Sequence, residues 1–244
     1  MIVATQEFEL RGHTISLKVA QEFFLPNKTT RLFSQAVQVN PDDVVLDIGS
    51  GVGPLALWAG REPSKEVHAV EIVPEQYSLL CDNIRENKLE HKVFPYRGAF
   101  FDPLPQGVKG DVIIADVSGI AEGPARALGW YPTVVPTGGD DGTEVIIPLL
   151  QRAADYLKPQ GRVYFPIAIG LSDTGKIMNV ARQHFKNLEK KIDQVFPLGN
   201  QEVELLAPFL NGDRSYMHLE TRRSRKLWRG HIYEATRPVC RQQR

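Results

Sequence analysis

Short apolar segments alternate with longer segments of helical periodicity through most of the chain. Nearly continuous apolar runs are typical of buried strands, and strands are predicted at residues 44–48, 67–71, 92–97, 111–116, 162–167 and 191–196. Helices are predicted between them, near residues 54–59, 74–86, 143–157 and 173–185. Strands that alternate with helices in this way predict a doubly wound α/β fold, with a mostly parallel sheet covered on both faces.

Two segments depart from this alternation. The stretch "EFELRGHTISLKV" alternates apolar and polar residues on both sides of "RGH", which predicts a β-hairpin in front of the core. We therefore expect residues 1–40 to form a hairpin and a helix that pack on a core domain of residues 41–244. Residues 118–142 form the longest irregular stretch, with six glycines and three prolines. A connection of that length in a compact domain is usually functional or mobile.

Residues 43–53 read "DVVLDIGSGVG", a buried strand followed by glycines at every second position. A glycine-rich turn between a strand and a helix lets the backbone approach a ligand closely, and the helix start supplies unpaired N–H groups. The third glycine follows the second by two positions, whereas the dinucleotide fingerprint G-x-G-x-x-G requires three. The pattern therefore predicts a nucleotide site that is not shaped for a pyrophosphate.

Glu71 ends the next predicted strand, "EVHAVE", 18 residues after Gly53. A carboxylate at that strand end can accept hydrogen bonds from both ribose hydroxyls, a role shared by NAD and S-adenosylmethionine sites. The same carboxylate excludes a ribose phosphate.

The arrangement of Asp47, the three glycines and Glu71 resembles the class I S-adenosylmethionine-dependent methyltransferases over about residues 43–196. The segments "FFLPNKTTRLFSQAV", "GDVIIADVSGI" and "PTGGDDGTEVIIPLLQRAADYLKPQGRVYF" are further similar to the HemK-like group, which includes the release-factor glutamine methyltransferases. The resemblance implies a Rossmann-like, seven-stranded methyltransferase fold. It also implies S-adenosylmethionine as the methyl donor and S-adenosylhomocysteine as the product.

The resemblance also implies which residues hold the cofactor. Asp47 and the glycine turn would hold its methionine portion, Glu71 its ribose, and Ile72 would lie against the adenine. Ala99 stands where family members often have an aspartate, so adenine recognition there is expected from backbone groups. Thr30 is a candidate contact, with helix capping near Arg31 as the alternative. The implied cofactor-binding residues are Asp47, Gly49, Ser50, Gly51, Gly53, Glu71, Ile72, Ala99, Phe100, Asp116 and Thr30.

The chain departs from the HemK-like pattern after the fourth predicted strand. The group has Asn-Pro-Pro-Tyr there to hold a planar nitrogen acceptor, and this chain has Asp116, Val117, Ser118 and Gly119. Asp116 is therefore the predicted catalytic residue, either as a general base or as the group that binds an amine or orients a hydroxyl. The alternative is a loop carboxylate that only caps the backbone.

The acceptor is predicted less directly. Lys plus Arg and Asp plus Glu number 29 each, so the whole protein offers no bulk attraction to nucleic acid. A small-molecule acceptor is therefore ranked first, a protein side chain second and RNA third, with a non-enzymatic cofactor-binding module as the other function. Residues 222–229, with Trp228 among five basic residues, are the one candidate RNA footprint, and a solvated hairpin turn is favoured over it.

The remaining candidates concern the long stretch at residues 118–142 and the environment of the protein. Glu122, Trp130 and Tyr131 lie in that stretch, where the aromatic pair would either cover an acceptor or anchor the loop. The histidines show no metal-ligand spacing, so no metal is expected. Two distant cysteines, Cys81 and Cys240, fit a reducing compartment. With no long apolar run in the sequence, we expect a cytoplasmic location and no membrane partner.

Overall fold

A computed structural model of the chain describes residues 2–23, 25–210 and 214–239. The elements are β1 (Val3–Leu10), β2 (His13–Ala20), α1 (Lys28–Ala36), β3 (Val44–Ile48), α2 (Pro54–Arg61), β4 (Glu66–Glu71), α3 (Pro74–Glu86), β5 (Val93–Arg97), β6 (Gly110–Ile114), α4 (Glu122–Ala127), α5 (Ile146–Tyr156), β7 (Leu157–Ile169), α6 (Thr174–His184), β8 (Phe185–Pro197), α7 (Asn200–Leu210), β9 (Glu220–Arg222) and β10 (Arg225–Pro238).

The main sheet has the strand order β5-β4-β3-β6-β7-β10-β8, and the short β9 pairs with β10. Strands β5, β4, β3, β6 and β7 run parallel to one another, whereas β10 is antiparallel to both β7 and β8. The predicted mostly parallel, doubly wound α/β sheet is therefore confirmed. Chain order reverses between β3 and β6, and ligands of open α/β sheets bind at the carboxyl ends of strands beside such a point.

The predicted N-terminal hairpin is also confirmed. Strands β1 and β2 are antiparallel, and Arg11 and Gly12 make the turn with φ of 42° and 83°. Asn83 ties the hairpin to α3, because its Oδ1 accepts from the Lys18 N–H at 2.7 Å and its Nδ2 donates to the Lys18 carbonyl at 3.1 Å. Asn83 is fully buried, so this contact joins the hairpin firmly to the sheet's helical layer.

Several predicted boundaries differ from the structure. Strand β6 ends at Ile114, earlier than predicted, whereas β7 and β8 are each 13 residues long. The extension of β8 and of the C-terminal end of β7 has a tertiary cause, since the 14-residue β10 lies between the two strands and pairs with both. Residues 118–142 are not wholly irregular, because α4 lies within them.

Three hydrophobic clusters position the site. One lies between the sheet and α1, α2, α3 and the hairpin, and a second lies between the sheet and α5 and α6. The third joins α4 and α7 to the end of β10 and contains Leu206 and Trp228. This third cluster covers the carboxyl edge of the sheet.

Within the part of the chain that the structure describes, no helix combines the length and apolar character needed to cross a membrane. Cys81 is a free thiol, and Cys240 lies outside the described residues.

Candidate active site

The glycine turn that follows β3 has a strained geometry that glycine tolerates. Gly49, Gly51 and Gly53 have φ of 78°, 57° and 92°, in the left-handed region that other residues rarely adopt. The N–H groups of Gly49 and Ser50 both donate to the Val70 carbonyl on β4 at 2.9 Å. The turn is therefore attached to the neighbouring strand.

The three glycines of the turn differ in the atoms that lie next to them. A Cβ on Gly49 would lie 2.8 Å from Val117 Cγ1, whereas a Cβ on Gly51 would have only Gln76 Oε1 nearby, at 3.6 Å. Both residues line a cavity of about 700 Å³ at the carboxyl edge of the sheet. Gly53 does not line it, and a Cβ there would lie 2.5 Å from Leu80 Cδ1. The structure thus places Gly53, expected at the cofactor, against α3 instead.

Replacing Gly53 with Ala tests this packing role. The variant combines a positive φ with a Cβ clash, so we expect it to lose roughly 2 to 4 kcal/mol of unfolding free energy. Gly12→Ala is the matched control, because Gly12 has φ of 83° and a Cβ there would meet nothing within 4 Å. Denaturant titration of both variants separates strain from overpacking, and equal losses would contradict the packing role of Gly53.

Glu71 holds the glycine turn from the end of β4. It is 4% exposed, and its Oε2 accepts from the Gly51 N–H at 2.7 Å while Oε1 accepts from the Val73 N–H at 2.7 Å. Burial raises the pKa of Glu71, and these backbone hydrogen bonds oppose the rise. The carboxylate also lies on the cavity wall, beside the turn that it orients.

Asp47 and Asp116 bring two more carboxyl groups to the same edge of the sheet. Asp47 is 2% exposed, and its Oδ2 has no hydrogen-bond partner among the described residues. Burial raises the pKa of Asp47 to about 7, and the charges of Asp116 and Glu71 also raise it. A buried carboxyl oxygen without a partner is costly, so this one is suited to a ligand.

Asp116 follows β6 and is held from α1. The Thr30 hydroxyl donates to Asp116 Oδ2 at 3.0 Å. Burial raises the pKa of Asp116 to about 6, and the Thr30 hydrogen bond opposes the rise. Asp116 lines both the main cavity and a smaller one beside it, which Asp47, Ser50 and Thr30 also line. The structure therefore brings these predicted residues together.

Thr30 has a second role, as a helix cap. Helix α1 begins at Lys28, earlier than the predicted start near Arg31, and Asn27 is its N-cap. Asn27 Oδ1 accepts from the Thr29 N–H at 2.7 Å, and Thr30 Oγ1 accepts from the Asn27 N–H at 3.4 Å. The Thr30 hydroxyl thus completes a capping box and also contacts Asp116.

Ile72, Ala99 and Phe100 line the part of the cavity next to Glu71. Ile72 is 50% exposed, an unusual degree for a large apolar residue at a strand end. Phe100 has φ of 50°, and the N–H of Gly98 donates to the Glu71 carbonyl at 3.0 Å. An apolar surface and a strained backbone therefore lie on one side of the carboxylate.

An aromatic wall, defined as Trp130, Tyr131, Phe196 and Trp228, lines the cavity beyond Asp116. Phe196 stacks on Trp228 with ring centroids 4.2 Å apart and planes 7° apart, and Trp130 lies 5.6 Å from Trp228. Burial raises the pKa of Tyr131 to about 12, while the nearby Ser118 hydroxyl opposes the rise. The predicted pair Trp130 and Tyr131 thus reaches the cavity.

Other predicted or considered residues lie elsewhere. Glu122 pairs with Arg126 at 3.3 Å and does not line the main cavity. In the basic segment, Arg229 is paired with Glu220 and Asp193, and Trp228 is 8% exposed. Trp228 therefore packs on the sheet, as the hairpin alternative predicted.

Sequence reasoning gave no site role to Gln76, Phe196 or His231, which are among the residues that line the cavity. Gln76 Oε1 is buried without a partner among the described residues, two positions after the helix-starting Pro74. Phe196 ends a predicted strand, where an apolar residue predicts only a place in the hydrophobic core and not a place in a ligand site. No group of three or more His, Cys, Asp or Glu residues in the described ranges is arranged to hold a metal.

Comparisons with known proteins agree with this geometry. The model of the TRM5/TYW2 methyltransferase domain matches residues 6–122, a little under half of the chain. The release factor glutamine methyltransferase of Moorella thermoacetica is 30% identical over 190 residues, which cover 71% of this chain and 65% of the relative. The chain therefore spans just under two thirds of that relative's length.

Solved structures show the same fold. The tRNA m1G37 methyltransferase of Methanocaldococcus jannaschii superposes with a TM-score of 0.58 at 17% identity, covering 96% of this chain and 55% of that one. The TYW2 protein of the same organism, solved in complex with AdoMet, gives 0.53 at 15% identity, covering 95% and 86%. The chain is similar in sequence and fold to class I S-adenosylmethionine-dependent methyltransferases. These similarities support the predicted methyltransferase class and the predicted cofactor, S-adenosylmethionine.

Proposed function

We propose that this methyltransferase transfers the methyl group of S-adenosylmethionine to a nitrogen or oxygen atom of an acceptor held beside Asp116. One observation carries the proposal. The Asp116 carboxylate lies on the wall of the same cavity as Glu71 and Gly51, so a donor held by the glycine turn and an acceptor at Asp116 would share one cavity.

The described residues fit the cofactor. Asp47 Oδ2 and Gln76 Oε1 are buried acceptors without partners, and the backbone at Gly51 is open toward the cavity. We propose that Asp47 and the turn hold the amino-acid portion and Glu71 the ribose. Ile72, with backbone groups of Ala99 and Phe100, would hold the adenine. Thr30 would contribute by orienting the Asp116 carboxylate. Gly53 would contribute by letting the glycine turn pack against Leu80 on α3.

The proposed chemistry uses Asp116 as the proton acceptor. The bound cofactor supplies an electrophilic methyl group, whose transfer forms an N–C or O–C bond and leaves the S–C electron pair on the sulfur of S-adenosylhomocysteine. Asp116, with a pKa of about 6, is mostly ionised at neutral pH and can take the acceptor's proton. Its Oδ2 is held by Thr30, which fixes the direction of the carboxylate.

The acceptor is the finer part of the proposal. The relatives' names, a release factor glutamine methyltransferase and a tRNA m1G37 methyltransferase, support a protein or RNA acceptor better than the small molecule expected from the sequence. They also support placing the chain near the HemK-like group. The residues at 116–119 replace that group's Asn-Pro-Pro-Tyr motif, which disfavours the usual glutamine acceptor.

Label transfer tests the proposal. The protein is incubated with methyl-labelled S-adenosylmethionine and with separate RNA, protein and small-molecule fractions of a cell extract. We expect one fraction to take up label and the same fraction to stay unlabelled with Asp116→Asn. Binding of S-adenosylmethionine without label in any fraction would overturn methyl transfer and favour a cofactor-binding module.

A further inference from the structure

The aromatic wall makes the acceptor half of the cavity largely apolar. Its rings come from the long stretch at residues 118–142 and from β8 and β10. The pKa of Tyr131, raised mainly by burial, is raised further by the charge of nearby Asp116. Leu198 and Ile120, which also line the cavity, extend the apolar surface. An aromatic surface of this kind binds flat, apolar ligands, because contacts between rings add to the free energy that the burial of apolar area provides.

The wall is held in place before any ligand arrives. Arg126 donates to the Tyr131 carbonyl at 2.9 Å, to the Pro132 carbonyl, and to the Val135 carbonyl at 3.3 Å. One guanidinium thus fixes the backbone around Trp130 and Tyr131. A pre-formed wall binds a ligand without the cost of ordering a loop.

The charges around the cavity select among possible acceptors. Glu71, Asp116 and Glu202 line it with carboxylates, and among the described residues Lys28 is the one lysine or arginine that lines it. Lys28 Nζ lies 5.0 Å over the Phe196 ring, at the outer face of the stack. Burial lowers the pKa of His231, which therefore adds no positive charge at neutral pH. An anionic ligand would be repelled, and RNA binding depends on cations that neutralise phosphates.

Although the relatives' names favour a protein or RNA acceptor, the lining of the cavity leads us to propose that the acceptor is a small molecule with an aromatic ring, neutral or cationic, that carries an amine or hydroxyl as its nucleophile. The ring lies against the aromatic wall and the nucleophile faces Asp116. This inference rests on the proposed function. The cavity of about 700 Å³ must hold both cofactor and acceptor, and sites for small ligands usually span roughly 300 to 1,000 Å³. The volume therefore suits a small acceptor.

Calorimetry with probe compounds tests the inference without turnover. The protein is saturated with S-adenosylhomocysteine and titrated with 1-naphthylmethylamine, 1-naphthol, 1-naphthalenesulfonate and unfractionated tRNA. We expect the amine and the naphthol to bind, and the sulfonate to bind at least roughly tenfold more weakly. The preference for amine over sulfonate should shrink in Glu202→Gln.

Trp130→Ala tests the wall, with Val134→Ala as its control. Val134 lies in the same loop, is 54% exposed and does not line the cavity. We expect Trp130→Ala to weaken the binding of 1-naphthol roughly three- to tenfold and Val134→Ala to leave it unchanged. Thermal unfolding should show that both variants are folded. Phe196→Leu provides a second test of the wall if Trp130→Ala does not fold.

Two kinds of failure are distinguishable. If S-adenosylhomocysteine binds but no naphthyl probe does, or if the sulfonate or tRNA binds more tightly than the amine, the inferred acceptor class is wrong. Unchanged naphthol affinity in both folded wall variants would also overturn it. If S-adenosylhomocysteine itself fails to bind, the proposed function fails.

Discussion

Asp116→Asn is expected to reduce turnover by roughly 10²- to 10⁴-fold while leaving the affinity for S-adenosylhomocysteine nearly unchanged. The carboxamide keeps the size of the side chain. Its oxygen can still accept the hydrogen bond that the Thr30 hydroxyl donates to Asp116 in the structure. It cannot take a proton from the acceptor. Single-turnover kinetics with the labelled fraction, alongside calorimetry of cofactor binding, measure the two quantities separately.

The pH dependence of the same reaction gives an independent signature. Burial raises the pKa of Asp116 to about 6, and the ionised form is the proposed base. Turnover should therefore be constant above pH 7 and fall about tenfold per unit as the pH drops below about 6. The Asn variant should lack this dependence.

Asp111→Asn, near the start of the strand that Asp116 follows, is the matched control. Asp111 is partly buried, accepts from the Val44 N–H at 2.8 Å and pairs with Lys158. The Asp111→Asn substitution should lower the free energy of unfolding and leave the turnover per folded molecule unchanged. If Asp116→Asn behaves in that same way, Asp116 is a structural carboxylate and not a base.

Glu71→Ala is expected to weaken the binding of S-adenosylmethionine by roughly 2 to 4 kcal/mol, through the loss of charge-assisted hydrogen bonds to the ribose. The structure adds a second expected effect. The Gly51 and Val73 N–H groups lose their acceptor, so the variant should also unfold at a lower temperature. Calorimetry and thermal unfolding measure the two losses.

Glu71→Gln separates these effects, because its amide oxygen can still accept one backbone N–H group. We expect it to retain more stability than Glu71→Ala and still to bind the cofactor more weakly. Glu66→Gln, at the other end of β4, is the control for a lost carboxylate on that strand. A folded Glu71→Gln variant with wild-type affinity would remove Glu71 from the ribose role.

Much of the cofactor side was predictable from the sequence because it is built from neighbouring elements. One strand, three glycines, one helix and the end of the next strand are adjacent in the chain, and their pattern predicts both the fold and the place of Glu71. The function of each glycine was not predictable. Gly53 was expected at the ligand, and only the position of Leu80 shows that packing requires it.

The acceptor side depended on tertiary structure. Periodicity assigns a residue to one face of a strand, but it does not say which distant strand lies beside it. Strand β10 inserts antiparallel between β7 and β8, and this pairing brings Trp228 beside Phe196 and Trp130. The sequence alone determined the strand, the glycine turn and the carboxylates at the strand ends, since each follows from local pattern and backbone sterics. The aromatic wall, and its place in the same cavity as Asp116, were decided by long-range strand pairing, which local pattern does not encode.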